Sequence, residues 1–243
     1  MRIPRIYTHQ PLSNGASLEL ESGASQHLAR ALRMTTGDEL VLFNGQGGEF
    51  PARLESVGKK TVIARLGDQR HRETESPLAI HLGIAVSRGD RMDWVIQKAT
   101  ELGATRITPL FTERTEVKLK GERAEKKLQH WRQVAISACE QCGRNRLPEI
   151  TDLSNLESWL AGTSAELKFV LHHRAGNPDP DAGAPASVAL LVGPEGGLSD
   201  AEILAAEQAG YQSLALGPRV LRTETAPLAA IAILQARWGD MGV

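Results

Sequence analysis

The spacing of hydrophobic residues along this chain changes near residue 70. Before that point the apolar runs are short: residues 39–44 and 49–58 flank a Gly-Gln-Gly-Gly segment, which predicts a β-hairpin. Residues 61–67 predict another strand. Residues 24–33 carry the one predicted helix of this part, with Gly37 as its stop. Several strands and one helix in about 70 residues favour a small β-barrel.

Beyond a polar stretch at residues 68–77, which predicts a linker, strands and helices alternate. Residues 90–103 predict an amphipathic helix, and a second, long helix contains the two cysteines. Capping boxes, a serine followed three residues later by a glutamate, predict helix starts at Ser154 and Ser199. This alternation favours a mostly parallel sheet with helices on both faces. The predicted strands of this part lie at residues 78–86, 106–111, 167–172, 187–192 and 212–216.

The change in pattern predicts two domains, residues 1–72 and residues 73–243. The 28 Lys and Arg nearly balance the 29 Asp and Glu, but their distribution is uneven. Residues 77–150 hold 13 basic and 9 acidic residues, whereas residues 151–243 hold 5 and 11. The basic part therefore suggests an anionic partner, although an ordinary solvated surface has the same signature. Aromatic residues make up only 4%, which disfavours a sheet that stacks RNA bases.

Composition also limits the compartment and the cysteine chemistry. No apolar run reaches 18 residues and no apolar stretch follows the first arginines, so we expect no membrane span, no signal peptide and a cytoplasmic location. Cys139 and Cys142 form a lone C-x-x-C, which suits a redox pair or half a zinc site. Since apolar residues around them repeat at helical spacing, we interpret them as two thiols packed along a helix, and we expect no metal site.

Two glycine-rich loops are the strongest chemical signal. The dinucleotide fingerprint, the P-loop and the common hydrolase motifs are absent. Residues 193–197 (GPEGG) and 216–226 (LGPRVLRTETA) each follow a predicted buried strand and precede a predicted helix. Ligands bind at such strand ends, where glycine lets the backbone approach closely. The alternative is a tight turn with an Arg222–Glu224 structural ion pair; both loops together favour a small-molecule site.

These loops resemble those of the SPOUT class of methyltransferases, and more narrowly those of the bacterial 16S rRNA (uracil-N3)-methyltransferases. The resemblance covers nearly the whole chain and includes RIPRIY near the start, HLARALRMTTGDELVLFNG (27–45), SRGDRMDWVIQKATELG (87–103), ITPLFTER (107–114) and ACEQCGR (138–144). His173 stands where the family pattern has proline.

The resemblance implies an α/β fold: a SPOUT-type parallel sheet with a C-terminal trefoil knot, preceded by a PUA-like β-barrel that grips rRNA. It implies S-adenosylmethionine as the cofactor, 16S rRNA in the small ribosomal subunit as the partner, and a homodimer whose site is completed across the interface. By the same match, the cofactor-binding residues are Leu171, His172, Gly193, Pro194, Glu195, Gly196, Gly197, Leu216, Gly217, Leu221, Arg222, Thr223, Glu224, Thr225 and Ala226.

The chemistry of such a reaction suggests catalytic roles. N3 of uracil becomes a nucleophile when it loses its proton, and an arginine beside the base can stabilise the developing oxyanion. Arg222 is our first candidate, and Arg144 is the second, supplied by either subunit. Glu224 is the candidate carboxylate, either as proton acceptor or as the group that orients Arg222.

RNA contacts are expected from arginines in both predicted domains. Arg30 and Arg33 are three residues apart, and we expect them on one helix face. Residues 120–127 (KGERAEKK) are interpreted as a solvated face of mixed charge. The RNA-binding candidates are Arg2, Arg5, Arg30, Arg33, Arg88, Arg91, Arg114 and Arg146, with Arg144 near the same crevice.

Alternative functions remain open at this point. One is a related enzyme with another target, such as a tRNA ribose. Another is a ribosome-assembly factor that binds RNA without catalysis. A nucleotide-binding oxidoreductase is disfavoured because the dinucleotide fingerprint is missing.

Overall fold

The structure, a computed structural model, describes residues 3–172 and 183–242. The chain folds into two compact units: Met1–Glu75 with Cys139–Leu147, and Ser76–Ala138 with Pro148–Val243. The sequence pattern did not indicate that residues 139–147 group with the N-terminal unit. The predicted domain boundary between residues 72 and 73 stays a prediction.

A five-stranded mixed sheet forms the first unit, in the order β1-β3-β4-β5-β2. The predicted hairpin is confirmed, because β3 and β4 pair antiparallel around a turn in which Gly45, Gly47 and Gly48 have positive φ. Among the described strand pairs of this sheet, β1 with β3 is parallel and the others are antiparallel. Leu28 in the helical segment and Leu54 in β4 are buried in the same hydrophobic core. The strands are β1 (Arg5–Tyr7), β2 (Ser17–Glu19), β3 (Glu39–Phe43), β4 (Phe50–Val57) and β5 (Val62–Leu66).

The predicted helix of this unit ends earlier than expected. Helix α1 (Ser22–Gln26) continues into a π-helical segment (His27–Ala31), and Arg33 follows in the left-handed region with φ 53°. The prediction that Arg30 and Arg33 share one helix face is therefore wrong. The reason is that the helix ends in a wide π turn, in which the Leu32 N–H donates to the His27 carbonyl. The backbone changes direction after this turn, so Arg33 does not continue the helix.

The second unit is built on a parallel sheet of seven strands, as the alternating pattern predicted. The order is β12-β10-β11-β6-β7-β8, with β9 pairing β7, and each of these pairs is parallel. The strands are β6 (Ala79–Ala85), β7 (Ala104–Phe111), β8 (Glu149–Ile150), β9 (Ser154–Asn155), β10 (Leu167–Leu171), β11 (Ser187–Val192) and β12 (Gln212–Leu214).

Helices cover both faces of this sheet. Along β11, Val188 and Leu190 pack into one buried cluster and Ala189 and Leu191 into another, because side chains alternate across a strand. Helices α2, α3 and α6 contribute to the first cluster, and α4 and α5 to the second. The helices are α2 (Arg91–Glu101), α3 (Glu122–Cys142), α4 (Leu156–Gly162), α5 (Asp200–Gln208) and α6 (Ala226–Trp238).

One of the two predicted capping boxes is present. The Ser199 hydroxyl accepts from the Glu202 N–H, and the Glu202 carboxylate accepts from the Ser199 N–H. The prediction at Ser154 is wrong, because Ser154 lies in β9 beside β7. Asn155 is the N-cap of α4 instead, and its side chain accepts from a backbone N–H at 2.7 Å.

The cysteines lie in the last turns of α3, as predicted, and both are thiols rather than disulfide partners. A hydrogen bond with the Cys142 thiol, together with burial, raises the pKa of Cys139. Cys139 is buried and Cys142 is half-buried, which agrees with two thiols packed along a helix. Each helix within residues 3–172 and 183–242 is too short or too polar to cross a lipid bilayer.

Candidate active site

A cavity of about 450 Å³ opens at the carboxyl ends of β10, β11 and β12. These strands are parallel neighbours, so the loops that leave them meet at one edge of the sheet. The prediction that the two glycine-rich loops share one cavity is confirmed, because residues 193–197 and Leu216 with Gly217 all line it. Its size is that of a small-molecule or cofactor site.

The first loop turns sharply after β11. The Gly197 N–H donates to the Pro194 carbonyl at 2.8 Å, and Gly197 has φ 69°. A Cβ on Gly193 would lie 2.9 Å from the backbone nitrogen and from Cγ of Leu198. This close approach explains the glycine at position 193 without invoking a ligand, and the capping box at Ser199 then begins α5.

The second loop leads from β12 into α6. Gly217 has φ 81°, which favours glycine. The Arg222 carbonyl accepts from the Thr225 and Ala226 N–H groups, both at 2.9 Å, so the chain turns before the helix starts. Pro227 stands in the first turn of α6, where its missing N–H costs no hydrogen bond.

Most of the predicted cofactor residues border this cavity. Leu171, His172, Gly193 to Gly197, Leu216, Gly217, Leu221, Thr223 and Ala226 line it. Arg222, Glu224 and Thr225 are not among the lining residues; Arg222 is exposed.

Sequence reasoning missed several lining residues. Val192 is the last residue of one predicted strand and Leu214 lies inside another, so the rule that ligands bind at strand ends could have found Val192. Asp200 and Ile203 lie on the first turns of α5, just after the capping box that the sequence did reveal. The remaining missed residues are Leu198, Arg219 and Val220, and Arg114, which was assigned to RNA.

An arginine on α2 links the two loops electrostatically. Arg91 Nη1 lies 2.8 Å from Glu195 Oε1, and Arg91 Nε lies 3.8 Å from Glu224 Oε2. Burial acts to raise the pKa of Glu195, but hydrogen bonds from its own backbone, from the Arg88 N–H and from Arg91 outweigh it, and the net pKa is lowered. Glu195 is therefore ionised at neutral pH, and Arg91 holds a carboxylate from each loop.

Other arginines of the second unit have specific partners too. Arg114 Nη1 donates to the Gly196 carbonyl at 2.9 Å, so this side chain lies against the first loop. Arg88 pairs with Glu116 at 2.5 Å on the surface. These contacts assign Arg114 a role in the loop's geometry that the sequence did not suggest.

In the first unit, several candidate arginines are engaged by carboxylates. The Arg5 guanidinium, with its side chain 8% exposed, pairs with Glu49 and donates to Asn145 Oδ1. Arg144 is 4% exposed and pairs with Glu75 at 2.6 Å. Burial acts to lower the pKa of Arg144, but hydrogen bonding to Glu75 and attraction to its charge outweigh burial, and the net pKa is raised.

The remaining candidates are on the surface of this unit or outside the described residues. Arg30 and Arg33 are exposed. Arg146 is paired with Glu73 at a longer 3.9 Å. Arg2 lies outside the described residues, as does His173.

Comparison with known proteins identifies the family. Residues 74–235, more than half of the chain, match the model of an RNA methyltransferase domain, and residues 20–67 match that of an RNA methyltransferase PUA domain. The ribosomal RNA small subunit methyltransferase E of Buchnera aphidicola subsp. Schizaphis graminum is 38% identical over 99% of this chain and 98% of its own length. This chain belongs to the ribosomal RNA small subunit methyltransferase E family.

Solved structures support this family's fold throughout. A Legionella pneumophila protein in complex with the cofactor SAM aligns with a TM-score of 0.95 and 45% identity, covering 99% of this chain and 100% of that one. A ribosomal RNA small subunit methyltransferase E from Neisseria gonorrhoeae, bound to S-adenosyl methionine, aligns with a TM-score of 0.93 and 40% identity, covering 98% and 99%. The family predicted from the sequence motifs is therefore confirmed; the PUA match contains β3 to β5 of the mixed sheet, and the methyltransferase match contains β6 to β12 of the parallel sheet.

Proposed function

We propose that this methyltransferase transfers a methyl group from S-adenosylmethionine to N3 of a uridine in 16S rRNA, within the small ribosomal subunit. The observation that carries the proposal is the single cavity shared by the loops after β10, β11 and β12 in a chain of this family. The relatives' names supply the ribosomal substrate class, and two similar structures were solved with the cofactor.

The residues of the cavity fit this cofactor. Apolar side chains such as Leu171, Leu216 and Leu221 offer a surface for a purine ring, and the 193–197 backbone offers polar groups. No arginine or lysine needs to neutralise the cofactor, whose sulfonium is itself cationic. When bound, S-adenosylmethionine supplies an electrophilic methyl group on sulfur. The predicted cofactor-binding role of Arg222, Glu224 and Thr225 rests on their place in the second loop.

The catalytic assignment follows from charge. The reacting uracil loses the N3 proton, and a cation beside the base stabilises the resulting oxyanion. Arg222 is the first candidate, because its side chain is exposed beside the cavity-lining Leu221 and Thr223. Glu224 is the candidate proton acceptor, or it orients an arginine; its carboxylate faces Arg91. Arg144 ranks lower, because its ion pair with Glu75 gives it a structural role.

Further properties of the family are part of the same proposal. We infer a trefoil knot in the C-terminal part, a PUA-like barrel around the mixed sheet, a homodimer and a cytoplasmic location. The match of residues 74–235 to the RNA methyltransferase domain supports the knot. Exposed apolar side chains support the dimer: Val220 is 81% exposed and Ile233 on α6 is 53% exposed. The ribosomal substrate supports the compartment.

Surface arginines are the proposed RNA contacts. Arg30 and Arg33 are exposed, and neither forms an ion pair with a carboxylate in the described part of the chain. The other candidates already contact carboxylates or a backbone carbonyl, so they would bind RNA either beside these partners or in exchange for them. They are Arg88, Arg91, Arg114 and Arg146. Arg5 is nearly buried, so we assign it to the stability of the first unit.

The deciding experiment is methyl transfer from labelled S-adenosylmethionine to small ribosomal subunits from a strain that lacks the modification, followed by mass spectrometry of the nucleosides. Labelled 3-methyluridine supports the proposal. Label on a ribose, label only on tRNA, or cofactor binding without transfer would replace it with one of the alternatives.

The Arg222→Ala variant tests the catalytic assignment. Turnover should fall by roughly 100-fold or more, as for the loss of an oxyanion donor, while cofactor affinity changes little. Single-turnover rates equal to those of the unsubstituted enzyme would remove Arg222 from the mechanism.

A further inference from the structure

A second cavity, of about 500 Å³, lies beyond the carboxyl ends of β6 and β7 in the same parallel sheet. Its walls are the loop after β6, the segment after β7 and the first turns of α3. Because β6 and β11 are paired neighbours, about 5 Å apart, this cavity opens on the same sheet edge as the candidate active site. None of its lining residues lines the first cavity.

Positive charge dominates the walls of this cavity. Four cationic side chains line it, against the two carboxylates of Asp90 and Glu116. Glu116 pairs with Arg88. Within residues 3–172 and 183–242, Lys118, Arg123 and Lys127 have no carboxylate within ion-pair distance. Three unneutralised cations around one cavity attract an anion.

The charge is arranged by the start of α3. Arg123 and Lys127 are four residues apart, so they lie on one helix face and line the cavity. Lys126, between them in sequence, lies outside the lining and pairs with Glu122 at 2.6 Å. Two like charges at this spacing destabilise a helix. The mixed-charge segment 120–127 therefore splits into a self-neutralised part and a cationic part that faces the cavity.

A buried hydroxyl borders the same cavity. Ser87, directly after the apolar run of β6, is 4% exposed, and its Oγ has no hydrogen-bond partner in the described part of the chain. Buried hydroxyls are almost always hydrogen-bonded, so an orphaned one indicates a missing acceptor or donor. The N-terminus of α2 adds to this, because its N-cap residue Asp90 lines the cavity and its side chain makes no capping hydrogen bond to the first turn.

We propose that this cavity binds a phosphate group of the RNA strand whose base enters the candidate active site. Guanidinium and ammonium groups are the side chains that bind phosphate, and a serine hydroxyl and a helix N-terminus complement its oxygens. The position on the shared sheet edge places the phosphate within reach of a strand that spans both cavities. The inference deepens the proposed function, since it assigns Lys118, Arg123 and Lys127 to RNA binding.

The test measures RNA binding without cofactor. The Arg123→Gln/Lys127→Gln double variant and the unsubstituted protein are titrated with a small-subunit rRNA fragment by filter binding at several salt concentrations. The variant should bind roughly tenfold more weakly at 0.15 M salt, and its log–log salt slope should fall by about 0.7–0.9 for each phosphate that it no longer neutralises. Lys126→Gln, one residue away on the same helix, is the matched control and should stay within about twofold.

Folding is checked separately. Thermal unfolding and calorimetry with S-adenosylmethionine show whether the double variant keeps its structure. Lys118→Gln lies outside α3, so it tests the cavity should the helix variant fail to fold. A salt slope equal to that of the unsubstituted protein in folded variants, or an equal loss of affinity in Lys126→Gln, overturns the proposal.

The source of the phosphate is resolved by a second titration, with inorganic phosphate. If the double variant loses phosphate binding but retains full RNA affinity and slope, the cavity serves a free phosphate compound and the RNA assignment is wrong. The RNA measurements need no methyl transfer. An enzyme that fails to methylate small-subunit rRNA but still shows the cavity-dependent slope would therefore contradict the proposed function and leave this inference standing.

Discussion

Arg91 is predicted to hold the two cofactor loops in their binding geometry. It lies at the first position of α2 and contacts Glu195 in the first loop and Glu224 in the second. Replacing it by glutamine removes the positive charge while keeping a polar side chain of intermediate length. The loops then lose their shared partner, and the cofactor has to order them when it binds.

The size of this effect follows from distance and exposure. The Arg91 and Glu195 side chains are 40% and 37% exposed, so solvent screens the pair and it contributes about 0.2–1 kcal/mol. The Glu224 contact, at 3.8 Å, is weaker. A combined loss of about 0.2–1 kcal/mol raises the Kd for S-adenosylmethionine by about 1.4-fold to fivefold.

Calorimetry with S-adenosylmethionine is the assay, applied to a double-mutant cycle. Arg91→Gln, Glu195→Gln and the double variant are compared, and the coupling energy should be about 0.2–1 kcal/mol and should shrink at 1 M salt. Lys98→Gln is the control, because Lys98 pairs with Glu101 on the same helix at the same 2.8 Å.

Two results would refute this role of Arg91. One is a Kd for Arg91→Gln that differs from that of the unsubstituted protein by less than measurement error. The other is an equal change in Lys98→Gln, which would mean that the charge of α2, rather than the bridge between the loops, controls cofactor affinity.

Three further predictions concern the sheet and the first loop. Gly83→Ala places a Cβ 2.6 Å from ring atoms of the buried Trp159, so chemical denaturation should show a loss of about 1–3 kcal/mol, whereas Gly162→Ala, with open space around it, should be near neutral. Burial, aided by a nearby arginine, lowers the pKa of His81 to about 3, so the folded state stays neutral while the unfolded state takes up a proton. The contribution of His81 to the free energy of unfolding is therefore fully present above pH 6.5. It is lost as the pH falls from 6.5 towards 3, by up to about 1.4 kcal/mol per pH unit. His81→Gln should remove this pH dependence from the denaturation midpoints. Gly193→Ala would place a Cβ 2.9 Å from a backbone nitrogen, so the first loop has to shift; the variant should lose about 1–3 kcal/mol of stability and bind the cofactor more weakly in calorimetry, and unchanged stability and affinity would contradict the loop geometry.

The parallel sheet was predictable because its signal is local. Runs such as residues 187–192 are apolar at successive positions, which a strand buried on both faces requires. The glycine-rich loops directly follow these runs. The rule that ligands bind at the carboxyl ends of parallel strands therefore predicted most of the residues that line the cavity. The strands β1 and β2 were not predicted, because three residues carry too little periodicity to be recognised.

Contacts between residues far apart in the chain could not be predicted from the sequence. Residues 139–147 join the first unit through pairs such as Arg144 with Glu75, which are 69 positions apart. The contact of Arg114 with the Gly196 carbonyl spans 82 positions. Nothing in the local pattern distinguishes these arginines from solvated ones, which is why both were assigned to RNA or catalysis.

The distribution of ion pairs changes the meaning of the basic region. From the sequence, the RNA-binding candidates in residues 77–150 were arginines, and residues 120–127 were interpreted as a solvated face of mixed charge. In the structure, carboxylates engage Arg88 and Arg91, whereas Lys118 and Arg123 have no such partner among the described residues. An RNA phosphate that displaces an existing ion pair gains less than one that meets an unpaired cation, because the first must also release a carboxylate into solvent. The strongest electrostatic attraction for RNA in this region should therefore lie at the second cavity rather than at the arginines that the sequence indicated.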